Sequence, residues 1–439
     1  MTLIIEKARI ADLFGTYCEQ GHIVVRDGRV ETVGEGPAPG LPDAKHLDAG
    51  GRLLTPGLVN AHSHLYSALA RGMPLEGYSP SGFRDVLEGL WWRLDRALDK
   101  QSIYASAVAG SLAHLRAGVT TVFDHHASPG AIEGSLSLLQ QGVDEVGLRA
   151  ALSYEVTDRG SMEERDAGIA ENVRFAREVA DNERFAAHMG LHASFTLEDV
   201  SLEKATAEAE PLGLPFHMHL AEGKEDPVHA LQHHGVRTAE RLDQFGILGE
   251  GTLLAHGIHL SQAETALLAE RSPTVVHNPR SNMNNAVGAP KVQRMLARGI
   301  PIGIGTDGLG MGIIAEAFCA RLLAHHADES PLALGDEALL SLLQHNYTLA
   351  QSYFGVPMGR AAPNYAADLV VWDYHPPTPM DADNVLAHLL FAAVSEGLTP
   401  YGVLAHGELL LWEHNIRHMD EHTALARSRE AARALWPRV

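Results

Sequence analysis

The segment "TPGLVNAHSHLYSALARGMP", residues 55–74, places two histidines directly after a short apolar run. Successive side chains of a strand point to opposite faces, so His62 and His64 share a face and Ser63 lies on the other. Buried imidazoles need hydrogen-bond partners, whereas two of them side by side form a good pair of metal ligands. The spacing is equally compatible with two ordinary histidines at a strand end, so further ligands elsewhere in the chain are needed to decide.

The composition is that of a globular protein large enough for one main domain and a smaller companion: 439 residues, 45% hydrophobic and 20% charged. Lys+Arg 34 against Asp+Glu 55 give a formal charge of −21, which disfavours nucleic acid and anionic membranes as partners. Cys18 and Cys319 are the only cysteines, so the chain has no disulfide framework and a cytoplasmic location is expected. The first residues have the pattern of neither a signal peptide nor a membrane span.

From about residue 57, short apolar runs alternate with longer helical patterns. Strands alternating with helices imply βαβ units and a parallel sheet, and eight of them indicate a closed (β/α)8 barrel. The eight predicted strands are "GLVNAHSH", "VTTVFDHH", "LRAALSYEV", "FAAHMGLHASFT", "LPFHMHLAE", "GTLLAHGIHL", "PTVVHNPRSN" and "IPIGIGTDG".

Short strand patterns also fill residues 2–54 and return near the end of the chain, at "ADLVVWDY" and "GVLAHGELLLWEHN". The two sets resemble each other more than they resemble the middle of the chain. We therefore predict an α/β protein, with a distorted (β/α)8 TIM barrel inserted into a small β-sandwich domain formed from both chain ends. The expected boundaries are 1–56 and 363–416 for the β-sandwich domain, 57–362 for the barrel and 417–439 for a closing helix.

Polar residues gather at the ends of almost all the predicted barrel strands. In such barrels the catalytic side chains lie at the carboxyl ends of the strands. Scattered structural histidines would not favour one end of every strand, so the collective pattern predicts a catalytic site. The residues that we assign to these ends are His62, His64, Asp124, His125, His126, Arg149, His192, His217, His219, Glu222, His256, His277, Asn278 and Asp307.

The motifs "NAHSH", "HMHLAE", "LLAHGIHL", "HNPRSNMNN" and "GTDG", in this order, resemble the amidohydrolase superfamily. The similarity runs over nearly the whole chain. It is to the branch of aminoheterocycle deaminases and triazine chlorohydrolases, which includes guanine, 8-oxoguanine and S-adenosylhomocysteine deaminases. "LWWRLDRALD" and "DHHASP" are similar to a bacterial group of aminohydrolases linked to selenium-dependent purine catabolism. The resemblance implies a small heterocyclic substrate and a homodimer.

The resemblance also implies one divalent metal ion per chain, bound by His62, His64, His219 and Asp307. Three imidazoles and one carboxylate suit zinc, and they are also compatible with iron or manganese. Coordination lowers the pKa of a bound water from ~15.7 towards ~7. "GTDG" is also ordinary turn chemistry. His217 shares a face with His219 and is expected to bond to the ligands rather than to the metal.

Within the same resemblance, Glu222 is the proton shuttle, His256 orients the attacking water, and Asp307 accepts a hydrogen bond from it. Adjacent residues of a strand point to opposite faces, so at most one of His125 and His126 is expected to face inward. A surface salt bridge is as good an interpretation for Arg280 and Asp95 as a substrate contact. The expected substrate-binding residues are His192, His277, Asn278, Arg149, Arg280, His125 and Asp95.

Two further tests narrow the class of metal site. Binuclear members of the superfamily bridge two metals with a carbamylated lysine on strand 4, and none of the six lysines of this chain falls within "FAAHMGLHASFT". One metal is therefore expected. The small cytidine-type zinc deaminases need a Pro-Cys-x-x-Cys motif, which two distant cysteines cannot supply.

The function predicted from these residues is hydrolytic deamination of a purine-like or pterin-like ring with release of ammonia. Arginine and histidine donors around the ring favour an oxopurine over adenine. Dechlorination is an alternative on the same site, but chloride leaves without a proton, so it does not explain the Glu222 and His256 pair as well. Ring opening of a cyclic amide is a second alternative. A metal-free binding protein on the same fold is the alternative from another class.

Overall fold

A computed structural model describes residues 2–395 and 397–439. Most strands of the middle of the chain are buried along their whole length, as expected for parallel strands covered on both faces. The strands, numbered in chain order, are β1 Leu3–Ala11, β2 Tyr17–Arg26, β3 Arg29–Glu35, β4 Lys45–Asp48, β5 Leu53–Pro56, β6 Leu58–Ser63, β7 Val119–His126, β8 Arg149–Tyr154, β9 Phe185–Ala187, β10 Met189–Ala193, β11 Phe216–Leu220, β12 Leu253–His256, β13 Thr274–His277, β14 Ile302–Ile304, β15 Leu369–Trp372, β16 Pro400–Ala405, β17 Glu408–Trp412 and β18 Asn415–Ile416.

The helices begin and end with recognisable signals. Asp99 and Ser102 form a reciprocal capping box at the start of the third helix, and Gly147 ends the fourth in the left-handed conformation. The helices are α1 Phe83–Val86, α2 Trp92–Ala97, α3 Lys100–Leu115, α4 Ser135–Val146, α5 Met162–Glu178, α6 Asp199–Ala209, α7 Glu225–His234, α8 Thr238–Gln244, α9 Gln262–Arg271, α10 Pro279–Asn284, α11 Val292–Leu296, α12 Ile313–Ala327, α13 Asp336–Phe354, α14 Val385–Ser395 and α15 Glu421–Leu435, and a π-helical turn, Leu87–Trp91, joins α1 to α2.

The middle of the chain forms two parallel sheets. One has the order β6-β7-β8-β9 and the other β10-β11-β12-β13-β14. Isolated parallel bridges join the sheets at two places, between Ser63 and Asp307 and between Val156 and Leu191. The alternation of strands and helices predicted from residue 57 onward is therefore present, and all eight predicted strand segments contain a strand.

Two predicted strands differ in detail. "FAAHMGLHASFT" is broken at His188 into β9, which pairs with β8, and β10, which pairs with β11. The break accompanies a close backbone approach, since a Cβ at Gly190 would lie 2.2 Å from the carbonyl oxygen of Tyr154. "PTVVHNPRSN" is strand only as far as His277, because Pro279 begins α10 in the position where proline suits a helix.

A third sheet combines the two ends of the chain, in the order β18-β17-β16-β15-β5-β1-β2-β3, with β4 beside β1. Its residues alternate between two cores, as the two-residue period of a strand requires. Leu369 and Val371 belong to a core that this sheet encloses by itself, whereas Val370 and Trp372 face the parallel sheets. The predicted association of the first and last segments is thus observed as direct strand pairing, β5 with β15.

Trp372 fastens this third sheet to the parallel strands. Its indole Nε1 donates to Thr55 Oγ1 at 2.8 Å, and its ring lies over Gly118, just before β7. A Cβ at Gly118 would come within 2.3 Å of the ring, and the residue has φ +75°, so glycine is required on both counts. This contact orients the beginning of β7 beside β6. In the described parts of the chain, no helix is both long and apolar enough to cross a bilayer.

Candidate active site

Four side chains from three strands converge at one end of the parallel sheets. His64 Nε2 lies 3.0 Å from Asp307 Oδ1, and His62 Nε2 lies 3.5 Å from the same oxygen. His219, near the end of β11, brings its Nε2 within 3.2 Å of His64 Nε2. The tertiary structure therefore assembles the four residues predicted as metal ligands, although Asp307 follows His62 by more than two hundred residues.

Hydrogen bonds to oxygen acceptors determine the tautomers of these imidazoles. His64 Nδ1 is 2.5 Å from the carbonyl oxygen of His125, and His219 Nδ1 is 2.9 Å from that of His192. A carbonyl can only accept, so each Nδ1 carries a proton and Nε2 is the nitrogen that faces the cluster. Burial lowers the pKa of His64, but the contact with Asp307 outweighs it and raises that pKa to about 9, so the place between His64 Nε2 and the Asp307 carboxylate favours a cation, either a proton or a metal ion. The donor set therefore fits a metal ion.

His256, at the end of β12, extends this donor set. Its Nδ1 donates to Asn282 Oδ1 at 2.9 Å, which leaves Nε2 buried without a hydrogen-bond partner in the described part of the chain. One ligand atom each from His62, His219, His256 and Asp307 lies within 4.8 Å of all the others. Imidazole nitrogens with one carboxylate oxygen are the ligands that zinc and similar ions prefer.

The backbone at three of these strand ends is strained. His256 and Asp307 have φ of +77° and +53°, and Ala221, directly after β11, has +46°. Such conformations cost about 1–3 kcal/mol for residues other than glycine and are concentrated at functional sites. At Asp307 the strain is supported locally, because the amides of Thr306 and Asp307 both donate to the carbonyl of His62 at 3.0 Å.

Glu222 lies beside the cluster rather than within it. Its Oε2 is 3.5 Å from His256 Nε2, and its Oε1 accepts from Asn285 Nδ2 at 3.3 Å. Burial raises the pKa of Glu222 to about 7, so the carboxyl both holds and releases a proton near neutral pH. Burial also raises the pKa of Asp307, but contacts with His62 and His64 outweigh it and hold that pKa well below its usual value.

A pocket opens above the cluster, and two of the predicted substrate contacts line it. His192 donates from Nδ1 to Thr196 Oγ1 at 2.6 Å and turns its other nitrogen inward. Asp95 is buried and pairs with Arg159 at 3.2 Å, and burial raises its pKa to about 6. The remaining lining is largely aromatic and apolar, with Phe83, Leu87, Trp91, Trp92 and Phe195.

Arg149 was predicted at a strand end and is instead the first residue of β8. It is buried, with Nη1 2.5 Å from Asp368 Oδ2 and Nη2 2.8 Å from His406 Nδ1. The prediction that it contacts substrate is therefore corrected: Arg149 anchors the third sheet. The reason is that "LRAALSYEV" carries polar residues at both ends, and the arginine is at the amino end.

Arg280 is also placed away from the pocket lining. It lies on α10 and pairs with Glu316 of α12 at 2.5 Å. Of the two interpretations considered for Arg280, the salt bridge is the one that agrees with its position. Asp95, in contrast, both forms an ion pair and lines the pocket. His277 and Asn278 are buried and do not line the pocket either.

The two adjacent histidines of β7 have different neighbours. His125 packs below the cluster, with its ring 4.4 Å from that of His217 and nearly parallel to it. His126 bonds to Ser128 Oγ at 2.9 Å instead. Neither lines the pocket, so His125 supports the ligands from beneath rather than touching a substrate.

Several lining residues were missed by the sequence interpretation. Glu155 directly follows β8 and lies within the predicted strand "LRAALSYEV", so the strand-end rule would have selected it had the rule been applied to the carboxyl end of that strand rather than to Arg149. Glu155 is 3% exposed, and burial raises its pKa to about 7. Ser281, which donates to Asp307, and Asn285 lie on and just after α10, within the motif "HNPRSNMNN", but the sequence analysis assigned neither of them to the site.

Comparison with known proteins agrees with this geometry. The sequence model of the amidohydrolase family matches residues 53–410, and the chain belongs to this family. Among its relatives, the 5'-deoxyadenosine deaminase of Methanothermobacter thermautotrophicus is 29% identical over 445 residues, with 99% of each chain covered. The 5-methylthioadenosine/S-adenosylhomocysteine deaminase of Desulforudis audaxviator is 30% identical over 449 residues, again with 99% of each covered.

Two solved structures share the fold. An adenosine deaminase from Xanthomonas campestris with bound zinc has a TM-score of 0.85 at 23% identity, over 99% of this chain and 98% of that one. The zinc complex of atrazine chlorohydrolase from Arthrobacter aurescens has a TM-score of 0.80 at 19% identity, over 98% and 100%. The protein is thus a hydrolytic enzyme of the amidohydrolase family, with a buried histidine and aspartate cluster suited to a metal.

Proposed function

We propose that this enzyme is a metal-dependent hydrolytic deaminase of a 6-aminopurine nucleoside, releasing ammonia. The observation that carries the proposal is the position of Glu222, whose carboxyl lies 3.5 Å from His256 Nε2 at the edge of the ligand cluster. The preference for an oxopurine is given up, because it depended on arginine donors and Arg149 and Arg280 lie away from the pocket. The names of the relatives, deaminases of adenosine derivatives, support an adenine ring.

One divalent ion per chain, zinc by preference, would be held by His62, His64, His219 and Asp307. The convergence of the three imidazole Nε2 atoms and the Asp307 carboxylate supports this assignment. When bound, such an ion supplies Lewis-acid chemistry that makes water acidic enough to react near neutral pH. The zinc in the two structural neighbours is consistent with the same choice of ion.

The protein's own groups would supply the proton transfers. Glu222, with a pKa of about 7, takes a proton from the attacking water and delivers it to a ring nitrogen of the substrate. His256 keeps a bare Nε2 because Nδ1 donates to Asn282, so it accepts a hydrogen bond from the same water and orients it. Asp307 is oriented by Ser281, which donates to its carboxylate, and the contacts with His62 and His64 keep it ionised.

Dechlorination and ring opening of a cyclic amide remain the alternative reactions for this site. Atrazine chlorohydrolase shares the fold, so dechlorination has to be tested as an alternative reaction. An amine leaving group needs a proton before it departs and chloride does not, so a Glu222 that holds a proton near neutral pH favours deamination. Retention of the whole ligand set argues against a metal-free binding protein.

We further propose that the two parallel sheets form one distorted (β/α)8 barrel. The bridges Ser63–Asp307 and Val156–Leu191 join them at both edges, and β9 with β10 would count as one broken strand. The third sheet encloses a core of its own, which supports a β-sandwich formed by residues 1–56 and 363–416 around a barrel of 57–362. The homodimer, the cytoplasmic location and the closing-helix boundary at 417 stay predictions.

A substrate screen combined with metal analysis tests the proposal. Protein loaded with zinc, manganese or iron would be assayed for ammonia with 5'-deoxyadenosine, 5'-methylthioadenosine, guanine and 8-oxoguanine, and for chloride with atrazine. We expect ammonia from the adenosine derivatives and close to one metal per chain, with Glu222→Gln as the inactive control. Chloride without ammonia, or hydrolysis of a cyclic amide such as dihydrouracil added to the same screen without ammonia from any amino compound, would replace the proposed reaction with an alternative.

A further inference from the structure

The pocket described above has an unusual charge balance. Its lining carries five carboxylates, and within the described residues it contains neither lysine nor arginine. Four of the five have evident partners: Asp95 pairs with Arg159, Asp226 accepts two backbone amides, Glu222 accepts from Asn285, and Asp307 belongs to the ligand cluster. The fifth, Glu155, is the exception.

The carboxylate of Glu155 receives no hydrogen bond from the described residues. Its closest nitrogens are His219 Nδ1 at 3.4 Å and His192 Nε2 at 3.7 Å. The first is already committed to the carbonyl of His192. A buried carboxylate without donors is costly, and Glu155 is 3% exposed. The unused acceptor capacity therefore faces the pocket.

His192 offers a second acceptor at the same place. Thr196 Oγ1 donates to the carbonyl of Ala193 at 3.0 Å, so towards His192 Nδ1, 2.6 Å away, it acts as acceptor. The proton of the neutral ring is thus on Nδ1, and Nε2 is bare. Glu155 and His192 Nε2 are two acceptors 3.7 Å apart, and neither receives a hydrogen bond from the described residues.

We propose that Glu155, together with His192, determines specificity by selecting purine nucleosides that present hydroxyl or ammonium donors and by rejecting those that carry a phosphate or carboxylate. The proposal rests on the proposed deaminase function. A hydroxyl or ammonium group of the substrate that donates to both acceptors satisfies the buried Glu155 carboxylate. Such a charge-assisted hydrogen bond in a buried site is stronger than a hydrogen bond between neutral groups in water. A phosphate or carboxylate meets the carboxylates of the pocket and finds neither lysine nor arginine in the described lining.

The prediction separates ligands that share an adenine ring. Adenosine is uncharged, whereas adenosine 5'-monophosphate is anionic. We expect kcat/KM for adenosine to exceed that for the monophosphate by at least about 100-fold. A ratio of kcat/KM of this size is expected when binding places the phosphate next to carboxylates in a buried site.

The test is Glu155→Gln in the metal-loaded enzyme, with Glu225→Gln as the matched control because Glu225 does not line the pocket. The uncharged amide should narrow the ratio between adenosine and its monophosphate at least tenfold, chiefly through KM, while metal content stays at the wild-type value. Glu225→Gln should leave the ratio unchanged. Loss of metal with an equal fall for every substrate would instead make Glu155 a positioning residue for His219 and overturn the proposal.

The remaining outcomes distinguish the two proposals. If wild-type enzyme deaminates adenosine and the monophosphate with equal kcat/KM, the specificity proposal is wrong and the deaminase stands. If no adenosine compound releases ammonia, the proposed function and the specificity derived from it fail together. A ratio that does not respond to Glu155→Gln, at normal metal content, rejects Glu155 alone.

Discussion

His62 Nδ1 and His217 Nε2 lie 2.8 Å apart, between strands β6 and β11 and directly beneath the ligand cluster. Both rings are fully buried, and neither His62 Nε2 nor His217 Nδ1 has another hydrogen-bond partner within the described residues. If His217 accepts the Nδ1 proton of His62, the Nε2 atom of His62 is bare and faces Asp307. Residues that fix a ligand in this way orient it and tune its basicity.

The first prediction concerns this contact. His217→Leu should lower the metal affinity about 10–100-fold, because His62 loses the acceptor that fixes its tautomer. His217→Gln, which keeps an acceptor oxygen, should recover part of that loss. The measurement is a competition titration of zinc against a chelating dye.

The matched control is His188→Leu. His188 is fully buried and its ring lies 5.2 Å from that of His217, but neither of its nitrogens has a hydrogen-bond partner among the residues that the structure describes. The His188→Leu variant should change the free energy of unfolding without changing the metal affinity. Equal affinity in His217→Leu and the wild type would show that the contact does not position His62.

The second prediction concerns Glu222. Glu222→Gln removes the group that moves the proton, and it keeps the size of the side chain and the acceptor for Asn285. Turnover should fall about 10²–10⁴-fold, whereas metal content and the free energy of unfolding should stay near those of the wild type. Steady-state kinetics, metal analysis and urea unfolding on one preparation test this, and wild-type turnover in the variant would remove Glu222 from the reaction.

The third prediction follows from the buried Arg149 and Asp368 pair. Arg149→Met leaves the carboxylate of Asp368 buried without its cation, which should lower the free energy of unfolding by about 3–5 kcal/mol. Burial raises the pKa of Asp368, but Arg149 outweighs it and holds that pKa below its usual value. The stability that the ion pair contributes is therefore present above the pKa of Asp368 in the unfolded state, and it is lost as the pH falls through the lower pKa of the folded state.

Because Arg149 begins β8 and does not line the pocket, the folded, metal-loaded variant should keep its KM. The double variant Arg149→Met/Asp368→Leu should recover part of the lost stability, since it removes the stranded charge. A large rise in KM without loss of stability would return Arg149 to substrate binding.

The fourth prediction concerns the pH dependence of stability. Burial lowers the pKa of His188 to about 3, whereas an unfolded histidine titrates near 6.5. The unfolded state therefore binds the proton first, and as pH falls below about 6.5 the folded state loses about 1.4 kcal/mol per pH unit through this residue. At pH 5 the loss should be about 2 kcal/mol.

His188→Leu removes this titration, so the difference in stability between the variant and the wild type should shift in the variant's favour by about that amount between pH 7 and pH 5. Urea unfolding at the two pH values measures it. Parallel pH profiles for the two proteins would mean that His188 takes up its proton equally in both states.

The local sequence pattern was sufficient to predict the strands and the type of site formed by the residues at their ends. "NAHSH" predicted two histidines on one face of β6, because the two-residue period of a strand is a property of the chain itself. "VTTVFDHH" was placed at the bounds that β7 has in the structure, since a buried strand is a continuous apolar run with abrupt polar ends.

Ion pairs between residues that are distant in the chain could not be predicted from the local sequence pattern. Arg149 and Glu155 lie at opposite ends of β8, and the sequence analysis selected Arg149 and passed over Glu155. In the folded chain Asp368, 219 residues after Arg149, neutralises the arginine at the amino end of the strand. Only the folded chain brings that carboxylate to that strand.

The sequence by itself determined the alternation of strands and helices and the histidines at the strand ends, because burial and side-chain period act over neighbouring residues. The tertiary structure decided which polar groups share a pocket and which tautomer each imidazole adopts. The carbonyls of His125 and His192 fix the protons of His64 and His219, and those contacts arise between different strands. Hydrogen bonds and charge pairs depend on distances in space, which spacing along a chain does not specify.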